Sequence, residues 1–163
     1  MEHPYFGRLD ERALDAHDVI WEARLRVGAA ITEVQLWVGP RTAPDAGVLD
    51  AFAARLAAAD VLDVHARAAL RATLQNERDY IDNHLDDPCD SAVIVALVDA
   101  AGGDEVSVDA FVAAMSLCGV GLWAGEHDAP IVLDYMIDPE ASDEILAVKM
   151  SLDGTVMSVD WES

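Results

Sequence analysis

From Leu146 to Trp161 apolar and polar residues alternate with a period of two, and the alternation breaks once, at Asp153-Gly154. Leu146, Val148, Met150 and Leu152 alternate with Ala147, Lys149 and Ser151; Thr155, Met157, Val159 and Trp161 alternate with Val156, Ser158 and Asp160. Successive side chains of a strand point to opposite faces, and Asp-Gly supplies the positive φ that a two-residue hairpin loop needs. The pattern predicts a hairpin in which Leu152 faces Thr155, Met150 faces Met157, Val148 faces Val159 and Leu146 faces Trp161. These side chains then share one covered face, so that a carboxylate in place of Met157 would cost several kcal/mol. The opposite face carries Lys149, Ser151, Ser158 and Asp160 and stays comparatively polar. A chain with such a hairpin must lay something apolar on one side of a sheet.

The rest of the chain supplies it, in the order strands, helices, strands. Two alternating stretches between Val19 and Val38, turning near Gly28, predict a half-buried hairpin that Pro40 and Pro44 end. From Asp45 to Ala59, Val48, Leu49, Phe52 and Leu56 recur at helical spacing. Asp60 can cap a second, longer helix running to about Leu85 on a stripe of Leu70, Leu74, Ile81 and Leu85, with Asp86-Asp87-Pro88 as its stop. Ser91 to Ala101 is an apolar run that suits a buried helix or a buried strand, and Val108 to Ser116 reads as a helix with Phe111, Val112 and Met115 inward. Leu117 to Trp123 and Ile131 to Ile137 add strands. The sum is one α+β domain over 1–163: an antiparallel sheet built from both ends of the chain, with a helical middle packed on one face. Its length and 53% hydrophobic content suit a single core.

Charge narrows the function classes. Thirty-one acidic residues stand against ten basic ones, for a net charge of −21. Such a field repels phosphate backbones and anionic headgroups, which argues against nucleic acid or a membrane surface as partner and for a basic protein. Asp outnumbers Glu by 21 to 10 and Lys149 is the sole lysine, so a GC-rich or salt-adapted composition would account for the same charge. Cys89 and Cys118 form no disulfide framework, and the N-terminal residues lack the basic and apolar regions of a signal peptide. The expected location is the cytoplasm.

No catalytic pattern emerges. Gly119, Gly121 and Gly125 do not have the spacing of a phosphate loop and read as strand and turn glycines. His84 and Cys89, among Asp86, Asp87 and Asp90, mix possible metal ligands, but a zinc site needs three or four convergent N or S ligands, and only His127 and Cys118 could complete a set. No metal or cofactor is expected. Asp134, which shares a strand face with Val132 and Met136, reads as an inward carboxylate held by neighbouring backbone or as a charge protecting a sheet edge. The tryptophans 21, 37, 123 and 161 all fall on predicted strands and read as packing residues. Trp37 is the one directed away from its neighbours Val34, Leu36 and Val38, as an interface anchor would be. The densest acid stretch, Asp79, Asp82, Asp86, Asp87 and Asp90, crowds the end of the long predicted helix, where negative charge opposes the macrodipole. These acids, with Asp104, Glu105 and Trp37, are the candidate partner-binding residues.

The opening His3-Pro4-Tyr5-Phe6-Gly7, the strand Asp134-Tyr135-Met136-Ile137, the run from Ile145 to Met150 with its Asp153-Gly154 turn and the closing Glu162-Ser163 resemble an uncharacterised bacterial domain family of unknown function. Similar small acidic α+β proteins serve as cytoplasmic immunity proteins of bacterial toxin systems, so the resemblance implies a binding role. The expectation is a non-enzymatic binding protein, an immunity-type inhibitor docking an acidic surface on a basic partner. The alternatives are a small carboxylate- or metal-dependent hydrolase and a salt-adapted structural protein without a dedicated partner.

Overall fold

The structure is a computed structural model and describes residues 1–9, 18–28, 30–39, 43–86, 91–125 and 127–163. A small hairpin opens the chain, β1 (Glu2–His3) and β2 (Gly7–Arg8), followed by β3 (Asp18–Val27) and β4 (Ala30–Val38). Five helices come next: α1 (Ala46–Leu56), α2 (Ala59–Asn76), α3 (Asp79–Asp86), α4 (Ala92–Ala101) and α5 (Val108–Ala114). Then come β5 (Ser116–Ala124), β6 (Ile131–Met136), β7 (Ile145–Met150) and β8 (Val156–Glu162). Strands β3 to β8 form one six-stranded sheet in sequence order, and the molecule is of the α+β class. The expected antiparallel sheet is mixed at one seam. Strands β4 and β5 run parallel, because the helical block carries the chain back across the sheet before β5 begins. No helix among the described residues is long and apolar enough to cross a membrane.

Capping explains most helix starts and corrects one expectation. Asp45 accepts from the backbone N–H groups of Gly47 and Val48, Ser91 from Ile94, and Ser107 from Ala110. Ser91 to Ala101 is therefore helix, closed by Gly102 in the left-handed conformation. Asp60 does not cap α2; its Oδ1 accepts from the Gly28 N–H at 2.7 Å and ties the β3–β4 turn to the helix. The single long helix expected to reach Leu85 is two. Glu77 is extended, the Asn76 side chain donates back to the Ala72 carbonyl, and Arg78 turns aside to the Val106 carbonyl at 3.2 Å. The new helix α3 buries Tyr80, Ile81 and His84 in place of the expected Ile81 and Leu85 stripe.

The helices cover one face of the sheet. Helix α2 touches β7 and β8 at one edge and β3 at the other, so the sheet wraps partway around it. Both distal turns meet the start of this helix: Gly28 through Asp60, and Gly154, whose φ of 84° suits glycine and whose added Cβ would lie 3.1 Å from Leu62 Cδ2. Val34, Leu36, Leu122, Leu133, Val148 and Met150 point into this core with Phe52, Leu70 and Phe111.

The C-terminal hairpin pairs Leu146 with Trp161 and Val148 with Val159, as the alternation requires. A bulge then shifts the register, and Met150 pairs with Val156; the expected Leu152–Thr155 pair does not form, because the turn spans Ser151 to Thr155, with the Ser151 N–H donating to the Thr155 carbonyl and the Gly154 N–H to the Ser151 carbonyl. Met157 is consequently 57% exposed, and the expectation that it lies under the helices is wrong. Val156 packs against the core instead. Met157→Asp should change stability by no more than about 0.5 kcal/mol, whereas Val148→Asp, at a fully buried position, should prevent folding or cost several kcal/mol. Urea melts of the two variants check the register; a large loss at Met157 would restore the unbulged pairing.

Candidate binding cleft

On the face of the sheet that no described element covers, the side chains of adjacent strands line up in rows. Bulging at Cys118 sets their phase: Leu117 points into the core opposite Tyr135, and after the extra residue Gly119 and Gly121 point outward with Trp123. One row is Glu33, Gly119, Asp134 and Ala147; the next is Gln35, Gly121, Val132 and Lys149. The two glycines leave β5 without side chains between its neighbours, and a cleft of about 800 Å³ opens over them. Trp37 and Trp123, laterally paired across the parallel seam, close one end as a stacked pair with ring centroids 5.2 Å apart and planes 14° from parallel. Trp123 folds toward the floor, where its Nε1 lies 3.2 Å from the place a Cβ on Gly121 would occupy. His127 stands against Trp123, and Lys149 and Glu162 form the far wall.

The cleft is acidic. Asp134 sits half-buried on β6, an interior strand, and faces outward; it is neither an inward carboxylate nor an edge charge. It makes no hydrogen bond or ion pair among the described residues, and burial, reinforced by Glu162 and partly offset by Lys149, pushes its carboxyl up to about 6. Lys149 is held by Glu162 at 2.7 Å and Asp160 at 2.9 Å, bonds that raise its own pKa, so its charge is already paired. Glu22 and Glu33 both accept from the Gln35 amide at 3.1 Å, a neutral donor, and Arg24 on β3 is the lateral neighbour of Glu33. Cys118 has its thiol pushed up, chiefly by burial, and donates weakly to the Ser116 carbonyl, which makes it a poor nucleophile.

Of the residues proposed from sequence, Trp37 belongs to this cleft and the described acids do not. Asp79, Asp82 and Asp86 are exposed on α3, in the layer covering the other face. Asp79 and Asp82 do not oppose a macrodipole, because they occupy the first turn of a separate helix, where negative charge is favourable; Asp86, the last residue of α3, does stand at a helix C-terminus. Asp82 and Glu105 converge on Arg78, at 3.3 Å and 3.0 Å, and Asp104 is exposed in the turn after α4. Asp87 and Asp90, with Cys89, lie outside the described residues. Reading by composition missed Glu33, Asp134 and Trp123 as members of one site. The available signal was Gly119-x-Gly121-x-Trp123, since glycine at alternate strand positions marks a stripe open to close approach.

Among the described residues no three His, Cys, Asp or Glu side chains converge to hold a metal ion. His84 lies in the helical layer, with its ring bonded to the Tyr80 carbonyl, while Cys118 and His127 line the cleft. What the cleft offers chemically is an aromatic wall, a floor of two glycines with Val132, and an excess of carboxylates over cations. No family model, curated protein or solved structure matches this chain.

Proposed function

We propose that the protein is a non-enzymatic, cytoplasmic binding protein that docks a basic protein partner on the open face of its sheet. The observation that supports this reading is Asp134, without a partner among the described residues, in the same cleft as the Trp37–Trp123 pair and a lysine that is already neutralised. Aromatic residues at the centre of an acidic face give affinity, and the surrounding charge gives speed and discrimination. An immunity-type inhibitor is the specific form of this role that the resemblance of the chain ends suggests. Asp134, whose carboxyl is pushed up to about 6 by burial, favours a carboxylate-dependent hydrolase as the second reading.

A protein this acidic attracts any polycation, so the test must separate the cleft from the general field. A decamer of mixed lysine, arginine and glycine serves as probe, followed by tryptophan fluorescence at two ionic strengths. Trp37→Ala should weaken binding about tenfold or more. The triple change Asp79→Asn, Asp82→Asn, Asp86→Asn should cost a few-fold at most and lose that effect at higher salt. Equal losses for the two variants would mean that the open face is not the docking surface.

A further inference from the structure

We propose that the cleft reads a single arginine side chain of the basic partner, its guanidinium lying against the Trp37–Trp123 wall and spanning Gly119 between Glu33 and Asp134. This deepens the binding role proposed above, on which it rests, by naming the group that enters.

Spacing carries the argument. Glu33, Gly119 and Asp134 are direct lateral neighbours on three adjacent strands. Strands lie about 4.8 Å apart, so the backbones carrying the two carboxylates stand roughly 10 Å apart with no side chain between them. Two acids pointing up from such positions leave a slot about one planar cation wide. Its floor is the Gly119 and Gly121 backbone with Val132, apolar and flat, and the tryptophan pair closes its end.

Charge chooses the sign of the ligand. An anion entering the cleft would meet Glu33, Asp134 and Glu162; Lys149 there is already bonded to two carboxylates, and His127 stands at the tryptophan end, away from Gly119. A cation meets Asp134 without a partner among the described residues and Glu33, which accepts from the neutral Gln35 amide and whose lateral neighbour Arg24 lies on the outer side, toward β3, away from Gly119. Shape then favours arginine over lysine. A guanidinium is planar, weakly hydrated and forked, so it can stack on an indole while donating to carboxylates on both sides, whereas an ammonium is a compact, strongly hydrated point charge. The volume of about 800 Å³ exceeds what one guanidinium fills and leaves room for the segment that presents it.

Three capped pentapeptides, identical except for a central arginine, lysine or citrulline flanked by glycines, provide the test against the intact protein. Citrulline keeps the planar shape and removes the charge. The indole N–H resonances of Trp37 and Trp123, assigned through Trp37→Phe and Trp123→Phe, report where each peptide binds. The arginine peptide should shift both resonances and bind at least fivefold tighter than the lysine peptide, with no saturable shift for citrulline. Glu33→Gln and Asp134→Asn should each weaken the arginine peptide more than the lysine peptide. Equal binding of arginine and lysine at these resonances would overturn the guanidinium inference and leave the basic-partner reading standing. If neither these peptides nor the basic decamer moves the two indoles, both fall together.

Discussion

Arg67→Met is expected to destabilise the protein by about 3–5 kcal/mol, the cost of removing one member of a largely buried ion pair while leaving its partners in place. Arg67 projects from α2 and donates to both carboxylate oxygens of Asp63, at 3.0 and 3.1 Å. Its other nitrogens reach the Val112 carbonyl at 2.7 Å and the Met115 carbonyl at 3.1 Å, capping the C-terminal end of α5. The guanidinium lies over the Tyr135 ring, 5.2 Å from its centroid, and the Tyr135 hydroxyl donates to Asp63 at 2.6 Å. The aliphatic stem of methionine preserves the volume, so the loss reports the polar node: a carboxylate with one remaining bond and two carbonyls with none from Arg67. Tyr135→Phe, which removes a single donor, should cost about 1–2 kcal/mol. Chemical denaturation of both variants checks the ranking, and a loss below about 1 kcal/mol for Arg67→Met would show that desolvation cancels the pair. The node matters beyond stability because Met115 leads directly into β5, whose glycines floor the cleft.

Asp134→Asn should act in the opposite direction. The folded-state carboxyl titrates at about 6, above its ordinary 3.8, so between those values the folded protein holds the proton that the unfolded chain gives up. The contribution of this group to stability is therefore largest below about pH 4 and falls as pH rises to about 6, after which it is constant. Two pKa units correspond to about 3 kcal/mol, and solvent screening of this half-buried group reduces this to about 1–2 kcal/mol. Glu162, Cys118 and Glu33 face the carboxylate along with Lys149, and of these only Lys149 favours the ionised form. Asparagine should leave stability unchanged near pH 4 and raise it by about 1–2 kcal/mol at pH 8, roughly 3–6 °C in Tm for a domain of this size. Thermal melts at the two pH values decide it. Destabilisation at pH 8 would mean that Asp134 is satisfied in the fold and is not waiting for a ligand.

Local pattern made much of this architecture readable. Alternation around Asp153-Gly154 foretold the pairs Leu146–Trp161 and Val148–Val159; it failed nearer the turn, where the adjacent apolar residues Val156 and Met157 leave the phase of the strand ambiguous, a bulge resolves it, and Leu152 and Thr155 join the turn instead of facing each other. The caps at Asp45, Ser91 and Ser107 could be read from residue type. The break between α2 and α3 could not, because the apolar stripe continues through it and the contacts that divide it come from Val106 and Glu105. The cleft was hidden for a related reason. Trp37 betrayed its outward direction through its strand neighbours, but the significance of Gly119 and Gly121 lies in what stands beside them across the sheet, and lateral neighbours joined by a parallel seam leave no local trace.

That seam has a consequence for assembly. One tryptophan of the stacked pair belongs to the N-terminal strands and the other to the C-terminal strands, and they meet only where β4 and β5 pair. Closing this junction brings together residues separated by the whole helical block, which makes it the most entropically demanding pairing in the sheet. Neither half of the sheet holds both walls of the cleft. The recognition surface is thus a joint property of the two ends of the chain, and a break anywhere in the helical block that lets them part would dismantle it while leaving every wall residue untouched.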